Sequence, residues 1–505
     1  MIEWSAFFQG LQLLVSWKTP VAIIIGMWIG LIFGVIPGLM GTMAIAVILP
    51  FTFLIDPLTS LILLTSIYTG SLTGSGITAI LINTPGTPAG IATTFDGYPM
   101  TQKGQQNRAL GLQITSSVFG GLFGYVFLLF FIRPMGRFAL QFGSSEMLLI
   151  MVLVFLIIAT IHGEHFFRTI FIGVFGLLLS TVGTSTTTGL IRGTMSMEAL
   201  EDGFPKAIGI IGIFCIPELF DMIRTEYISQ SQVTKEKHDL KKFFEGCRYT
   251  FRYVKTMVRS ALIGTFIGIL PAAGPTIASL FSYSRAKQHA KPSQCYGEGE
   301  PEGVVAAEVA NNAAEGGSMS ILIALGIPGS GTGALLIAAF MLQGLTVGPT
   351  TFRDHTALIY AIIVGNIFQM VFLGFFALLL AFYVSRVVFV PTRILAPALI
   401  VVITIGSFCF RNMFFDVYMV FLFGIIGWFF RRHHFSNTSF IIGFILGDGM
   451  DDEMYVFKAL FGHDLTKIFV HPISIVLLVV ILVTIGVQIY NYRQKSKERG
   501  FTINN

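Results

Sequence analysis

The stretch YTGSLTGSGITAILINTPGTPAG, Tyr68 to Gly90, lies in a run from Pro57 to Phe95 that contains no Asp, Glu, Lys or Arg. A charge-free run of that length belongs in a bilayer. Pro85, Pro88 and the glycines at 70, 74, 76, 86 and 90 are incompatible with a lipid-facing helix. Irregular backbone at membrane depth survives only where protein or a water-filled cavity surrounds it. The stretch is therefore expected to line a cavity inside a membrane protein.

Composition supports the membrane setting. Of 505 residues, 54% are hydrophobic and only 12% charged, against about 25% charged in a soluble chain, and the mean hydropathy is +0.77. The four cysteines, Cys215, Cys247, Cys295 and Cys409, are scattered without a CxxC pair, so neither a metal cluster nor a disulfide framework is indicated. The net charge of +5 gives no reason to expect a nucleic-acid partner. Met1 to Trp17, with no early Lys or Arg, reads as a short amphipathic segment at the interface rather than a secretory signal.

In chain order, residues 1–18 form the interfacial segment and 19–223 a first membrane unit. Its opening helix carries glycines at 26, 30, 34 and 38, a four-residue step suited to close helix packing, and is broken near Pro37. Residues 224–259 read as a soluble, cytoplasmic linker with nine Lys/Arg against four acids. A second membrane unit follows over 260–447. Residues 448–492 hold an acidic loop, GDGMDDEM, expected to be solvated surface, and a final spanning helix; 493–505 form a basic cytoplasmic tail.

The second unit replays the first. Gly264, Gly268 and Pro271 repeat the spacing of Gly30, Gly34 and Pro37, and Gly317-Ser318 with Pro328-Gly329-Ser330 repeats Gly74-Ser75 with Pro85-Gly86-Thr87. Paired broken segments in corresponding positions point to an internal duplication and to a binding site between the halves. The expected fold is an all-α polytopic membrane protein of two internal repeats, taken to be inverted. Each carries a broken or re-entrant helical hairpin, near 68–90 and 311–333, whose Pro-Gly tip reaches the midplane. Thr73 to Asn83 as a helix would rise only about 16 Å, half of a hydrocarbon core of about 30 Å.

Hairpin tips of this kind expose unpaired backbone groups. Helix N-termini suit a carboxylate, whereas unwound carbonyls suit Na⁺. Thr84, Thr87, Ser330 and Thr332 add hydroxyls and Asn83 an amide around the tips. Glu308, Asn311 and Asn312 sit among alanines just before the second signature, with Glu308 and Asn312 on one helical face. The HGEH group, His162 to His165, lacks the HExxH spacing and reads as an interfacial loop rather than a zinc site. An intramembrane enzyme is the rival class, and a standalone organic-anion exchanger or channel is the alternative transporter.

The segments IGILPAAGPTIASLFSYS, EGVVAAEVANNAAEGGSMS, ALGIPGSGTGALLIAAFMLQGLTVGP and GSGITAILINTPGTPAGIATTFDGYPMTQKGQQNRALG resemble the large membrane subunit of the tripartite tricarboxylate transporters. The similarity extends from about Ile23 to about Leu446. Where that family has Pro-Gly-x-Gly in the second half, this chain has Pro271-Ala272-Ala273-Gly274. The resemblance implies a secondary active transporter subunit of the bacterial inner membrane and no enzyme. It would be a symporter for a carboxylate (tricarboxylate, dicarboxylate or aromatic acid) delivered by a periplasmic solute-binding protein. A small membrane subunit would be its partner, Na⁺ or H⁺ the coupling ion, and no other cofactor is implied. By analogy Thr84, Thr87, Asn311, Asn312, Ser330 and Thr332 would bind substrate, and Ser75, Asn83, Gly86, Ser318 and Gly329 are the ion-binding candidates. Asp96, Gly97 and Tyr98 would shape the loop after the first hairpin.

Overall fold

The computed structural model describes residues 3–161, 165–185, 187–223, 239–271, 273–345, 347–387, 392–462, 464, 466 and 471–502. The described chain is almost wholly helical. The first half holds α1 (Trp4–Leu14), α2 (Lys18–Val35), α3 (Gly41–Ile48), α4 (Pro57–Ile82), α5 (Ile91–Gln102), α6 (Gln106–Ala139), α7 (Ser144–Ile161), α8 (Phe166–Ser180) and α9 (Lys206–Ile223). The second holds α10 (Leu240–Thr250), α11 (Val254–Ile269), α12 (Gly274–Gln288), α13 (Pro301–Leu325), α14 (Gly331–Leu342), α15 (Pro349–Asp354) and α16 (Thr356–Val387). It closes with α17 (Thr392–Arg411), α18 (Phe414–Arg432), α19 (Asn437–Phe461) and α20 (Pro472–Thr502). Among the described residues the only strands are Gly183–Thr184 and Ile191–Arg192, an antiparallel pair between α8 and α9. Among the described residues six helices are long and apolar enough to cross a membrane: α2, α6, α16, α17, α18 and α20. The protein is an all-α, multi-pass membrane protein.

The two longest polar helices occupy the centre. Nearly all of α4 from Leu58 to Ile82, and of α13 from Gly303 to Ala324, is buried. Because neither meets lipid, each can carry Ser, Thr, Asn and Glu at depths where a peripheral helix cannot. Their packing partners are set by glycine. Gly30 and Gly34 of α2 lie on the backbone of Ile67 and Ser71 in α4, and Gly264 and Gly268 of α11 lie on Ala310 and Ala314 in α13. A Cβ at any of the four would collide with those backbone atoms. Gly74 in turn meets Leu31 and Gly34, as Gly317 meets Thr265 and Gly268. One shift in numbering, 234, relates α2 to α11, and another, 243, relates α4 to α13, so each contact has a counterpart, which supports a duplicated origin.

The halves are also interlocked. α13 packs on α6 and α4 on α16, α10 packs on α6 and α1 on α16, and α8 packs on α19 as α18 does on α9. Each pairing crosses from one half to the other.

Three expectations change. Tyr68 does not begin a half-length segment. It lies inside α4, which starts at Pro57 behind an Asp56 cap that accepts from Thr59 N–H at 3.0 Å. At 26 residues the arm is about 39 Å long, so the turn closes a full-length helix. The basic linker is not irregular throughout: residues 224–238 lie outside the described residues, but Asp239 caps α10, which packs on α6. Arg108 and Arg252 both sit over the Tyr249 ring there. GDGMDDEM is not a loop, since it lies within α19. Asp451 pairs with Arg192 at 2.6 Å and Asp448 pairs with Lys206, tying α19 to the segment between α8 and α9. This end of α19 is held by ion pairs whose acids remain partly exposed to solvent.

Candidate functional site

Both long central helices end in a residue with left-handed backbone, Asn83 (φ 56°) after α4 and Gly326 (φ 70°) after α13. This reverses the chain, and the next few residues run back along the helix just completed. Ser75 Oγ accepts from Thr87 N–H at 2.9 Å and donates to the Thr87 carbonyl at 3.1 Å. Gly86 rests on the Gly34 carbonyl where α2 breaks, leaving no room for a side chain. In the second half Gly329 rests between Ser318 and the Gly268 carbonyl where α11 breaks. Ser75 and Ser318 each lie seven residues before the end of their helix, so each turn re-enters by about 10 Å.

From that depth the chain starts outward again. Gly90 lies beside Ser75 and Gly97 beside Ile80, and the Thr101 hydroxyl donates to the Ile80 carbonyl at 2.8 Å. α5 therefore runs alongside the last turns of α4 in the same direction. α14 begins at Ser330, whose Oγ accepts from Gly333 N–H at 3.1 Å as a helix cap. Two short helices thus start in the protein interior with their N-termini, the ends that carry positive dipole charge and free N–H donors, turned inward.

Around these starts the halves reach across to each other. Tyr68 Oη of α4 is 3.2 Å from Ser330 Oγ at the second turn. The shift of 243 that relates α4 to α13 maps Tyr68 onto Asn311 and Thr87 onto Ser330. At the counterpart positions the Thr87 hydroxyl is buried without a hydrogen-bond partner, and the Asn311 amide is buried without a well-formed bond, only within reach of the Glu308 carboxyl. Buried polar atoms are nearly always paired in a folded protein, so a concentration of unpaired ones calls for a reason. A charged, multi-acceptor ligand would supply one.

Of the other residues the sequence singles out, most are occupied in holding the turns. Ser75 is engaged at both ends by Thr87, and Ser318 donates to the Gly268 carbonyl at 3.3 Å. Gly86 and Gly329 permit close backbone approach. Asn83 is exposed at the helix end, and Thr84 donates to the Ile82 carbonyl at 3.2 Å. Asn312 is a strut between the central helices: it accepts from Thr73 at 3.1 Å and donates to the Glu308 carbonyl at 3.2 Å. Thr332 is buried in the first turn of α14. His162 and Glu164 lie outside the described residues.

Two buried carboxylates extend the polar core along α13. Glu308 accepts from Thr93 at 2.5 Å, Ser117 at 2.9 Å and Gln113 at 3.3 Å. Glu315 Oε1 accepts from Thr69 at 2.5 Å and Tyr125 at 2.6 Å. Sequence reading passed over Glu315, Tyr125, Gln113 and Ser117. The available signal was a polar residue recurring within otherwise apolar helices, at Gln113 and Ser117 in α6 and at Asn366 and Gln369 in α16.

The model of the tripartite tricarboxylate transporter TctA family matches residues 21–442. The chain belongs to this family. An uncharacterized 52.8 kDa protein in the TAR-I ttuC' 3' region of Agrobacterium vitis is 33% identical over 486 residues, 96% of each chain. A second uncharacterized protein, in the TAR-II ttuC' 3' region of the same organism, is 34% identical over 215 residues, 43% of this chain and 89% of its own. No solved structure matches. The TctA family is one of transporters, not of enzymes, and its matched span contains both re-entrant turns and both central helices.

Within this TctA-family chain Asp96 has a structural place. Its Oδ1 accepts from the N–H groups of Gly297, Gly299 and Glu300 at 2.8, 2.9 and 2.8 Å. That pins the loop leading into α13 against α5, and Glu300 then caps α13. The Glu302 side chain accepts from Gln294 at 2.7 Å and also from Thr256.

Proposed function

We propose that this chain is the translocating subunit of an importer that carries a carboxylate across the bacterial inner membrane. The substrate is delivered by a periplasmic solute-binding protein, and the chain works beside a small membrane subunit. The reading rests above all on two interior helix N-termini, with the unpaired Thr87 hydroxyl at one of them and the buried Asn311 amide, without a well-formed bond, on the central helix of the other half. Backbone donors, hydroxyls and an amide can hold a carboxylate without a fixed positive side chain, and helix N-termini favour the anion electrostatically. Thr87, Asn311, Ser330 and Thr332 are the substrate-facing set, with Tyr68 positioning Ser330. Ser75, Ser318, Asn83, Gly86 and Gly329 maintain the turns, and Thr84 and Asn312 support them.

Import of an anion against an inside-negative potential costs about 2.3 kcal/mol per charge per 100 mV. A coupled cation, H⁺ or Na⁺, offsets it, which makes the cycle a symport. In the cycle the re-entrant elements move against the glycine-laddered helices in an elevator-like step. A cysteine at Thr84 crosslinked to a scaffold helix, in a background lacking the native cysteines, is expected to trap one state. Transport unaffected by complete crosslinking would refute the movement.

The function is tested by uptake of labelled tricarboxylates, dicarboxylates and aromatic acids into proteoliposomes holding the chain with its two partners. Uptake that needs the binding protein and an ion gradient is expected. Uptake by this chain alone would favour the standalone exchanger.

A further inference from the structure

Glu315 is one of two wholly buried carboxylates of α13, and its two oxygens are in different situations. Oε1 accepts both the Thr69 hydroxyl from α4 and the Tyr125 hydroxyl from α6. Oε2 is buried and has no hydrogen-bond partner. Glu308, by contrast, has both oxygens engaged by hydroxyl and amide donors. A bare anionic oxygen in a dry interior is among the most costly arrangements a protein can hold. A proton on Oε2 removes that cost and leaves Oε1 free to accept as observed.

Among the described residues the surroundings supply no cation. From α4 the titratable group facing Glu315 is Tyr68, and from α6 it is Tyr125; from α16 the neighbours of the cluster are the neutral Gln369, which donates to Thr69 at 2.7 Å, and Asn366. The charged residues of α11, Lys255 and Arg259, precede the Gly264–Ala310 contact and lie towards the start of α13, as does Asp96 of α5 beside Gly303. Those of α12, Arg285 and Lys287, are in its last turn and exposed, and Arg353 and Asp354 of α15 pair with each other at the surface. α10, which meets α6 at Arg108 and Gly111, carries its charges Lys241, Lys242, Glu245 and Arg248 at that end. α14 and the second turn carry no charged residue. On α13 itself the nearest charged neighbour is Glu308, two turns away. Nor do the neighbouring oxygens converge on Oε2 as a Na⁺ cage would require, since both nearby hydroxyls donate to Oε1.

We infer that Glu315 is the proton-carrying carboxyl of the transport cycle, with Thr69 and Tyr125 as its fixed donors and Tyr68 as its link to the substrate site. Tyr68 sits next to Thr69 in sequence, interacts electrostatically with Glu315, and touches Ser330 at the second turn. Movement of that turn on binding substrate displaces the Tyr68 hydroxyl and alters the field at Glu315. The proton comes from water on the side where the carboxyl is loaded and returns to water on the other side. This rests on the transporter reading, and its test requires no substrate.

The test is infrared difference spectroscopy of the full chain in lipid nanodiscs, titrated between about pH 5 and about pH 9, a window above the ordinary Glu value of about 4.3. Wild type is expected to show a protonated-carboxyl C=O band that shifts in D₂O, is lost in Glu315→Gln, and is unmoved by replacing KCl with NaCl. Tyr125→Phe should move the band without abolishing it, which serves if Glu315→Gln does not fold. Absence of the band in wild type, its persistence in Glu315→Gln, or its loss on adding NaCl at constant pH would overturn the assignment. The last result would assign Glu315 to a cation instead. Failure of carboxylate uptake with the band present would count against the transporter reading alone.

Discussion

Asn311 and Asn312 are adjacent, fully buried and chemically identical, yet the structure gives them opposite roles. Asn312 bridges Thr73 of α4 and the Glu308 carbonyl, whereas Asn311 makes no well-formed hydrogen bond and lies only within reach of the Glu308 carboxyl. Leu is close to isosteric with Asn. Asn312→Leu leaves the buried Thr73 hydroxyl without its acceptor and is expected to cost about 1–3 kcal/mol, the usual penalty for orphaning a buried polar group. Asn311→Leu removes an amide without a well-formed bond, so stability should be unchanged or higher by about 1–3 kcal/mol. The two variants should therefore separate by about 1–6 kcal/mol, with Asn312→Leu the less stable. SDS-induced unfolding in mixed micelles, followed by fluorescence of the four tryptophans, measures this through the shift in midpoint. Asn311→Leu should meanwhile weaken carboxylate binding by about 10- to 100-fold, since one hydrogen bond to a charged group is worth about 1.5–3 kcal/mol and 1.4 kcal/mol is tenfold. Equal destabilisation by both variants would refute the reasoning, because Asn311 would then have a structural partner.

Other predictions follow from the scaffold. Gly30→Ala and Gly264→Ala each drive a Cβ into the backbone of the facing central helix, and both should destabilise by about 1–3 kcal/mol in the same unfolding assay. A large effect at one site with none at the other would break the equivalence of the halves. Ser75→Ala, which removes both bonds to Thr87, should cost about 1–3 kcal/mol and raise the reactivity of a cysteine placed at Thr87. Asp96→Ala releases three N–H groups and should cost about 3 kcal/mol or more, with faster proteolysis between His289 and Glu300.

Much of this architecture was legible in the chain because its signals are local. Glycines at four-residue steps, a proline after them, and a charge-free run rich in Gly, Pro, Ser and Thr marked the broken helices and the re-entrant turns. Their recurrence in the same order pointed to a duplication, which the matched glycine contacts support. The start of the first arm was not legible, since Tyr68 to Ile82 carries the composition of an irregular segment. It is helical because α4 is surrounded by protein, so helix-weakening glycines are tolerated where they let α2 approach. GDGMDDEM misled for a related reason: its acids are satisfied by Arg192 and Lys206, which lie far away in sequence. At the site, Thr87, Asn311 and Ser330 could be picked out by their place beside the Pro-Gly signatures. Tyr68 and Glu315 could not, because their partners, Ser330 for one and Thr69 and Tyr125 for the other, come from helices that only the fold brings together.

The central claim is that the ligand is held where the two short helices begin, by groups from both halves. It is tested most directly by uptake of the labelled carboxylate panel into proteoliposomes carrying the three-component complex, comparing wild type with Thr87→Val and with Ser330→Ala. The account predicts that each substitution alone, one in each half, sharply lowers apparent substrate affinity while leaving the protein folded. Unchanged affinity and unchanged ion dependence in both variants would contradict it.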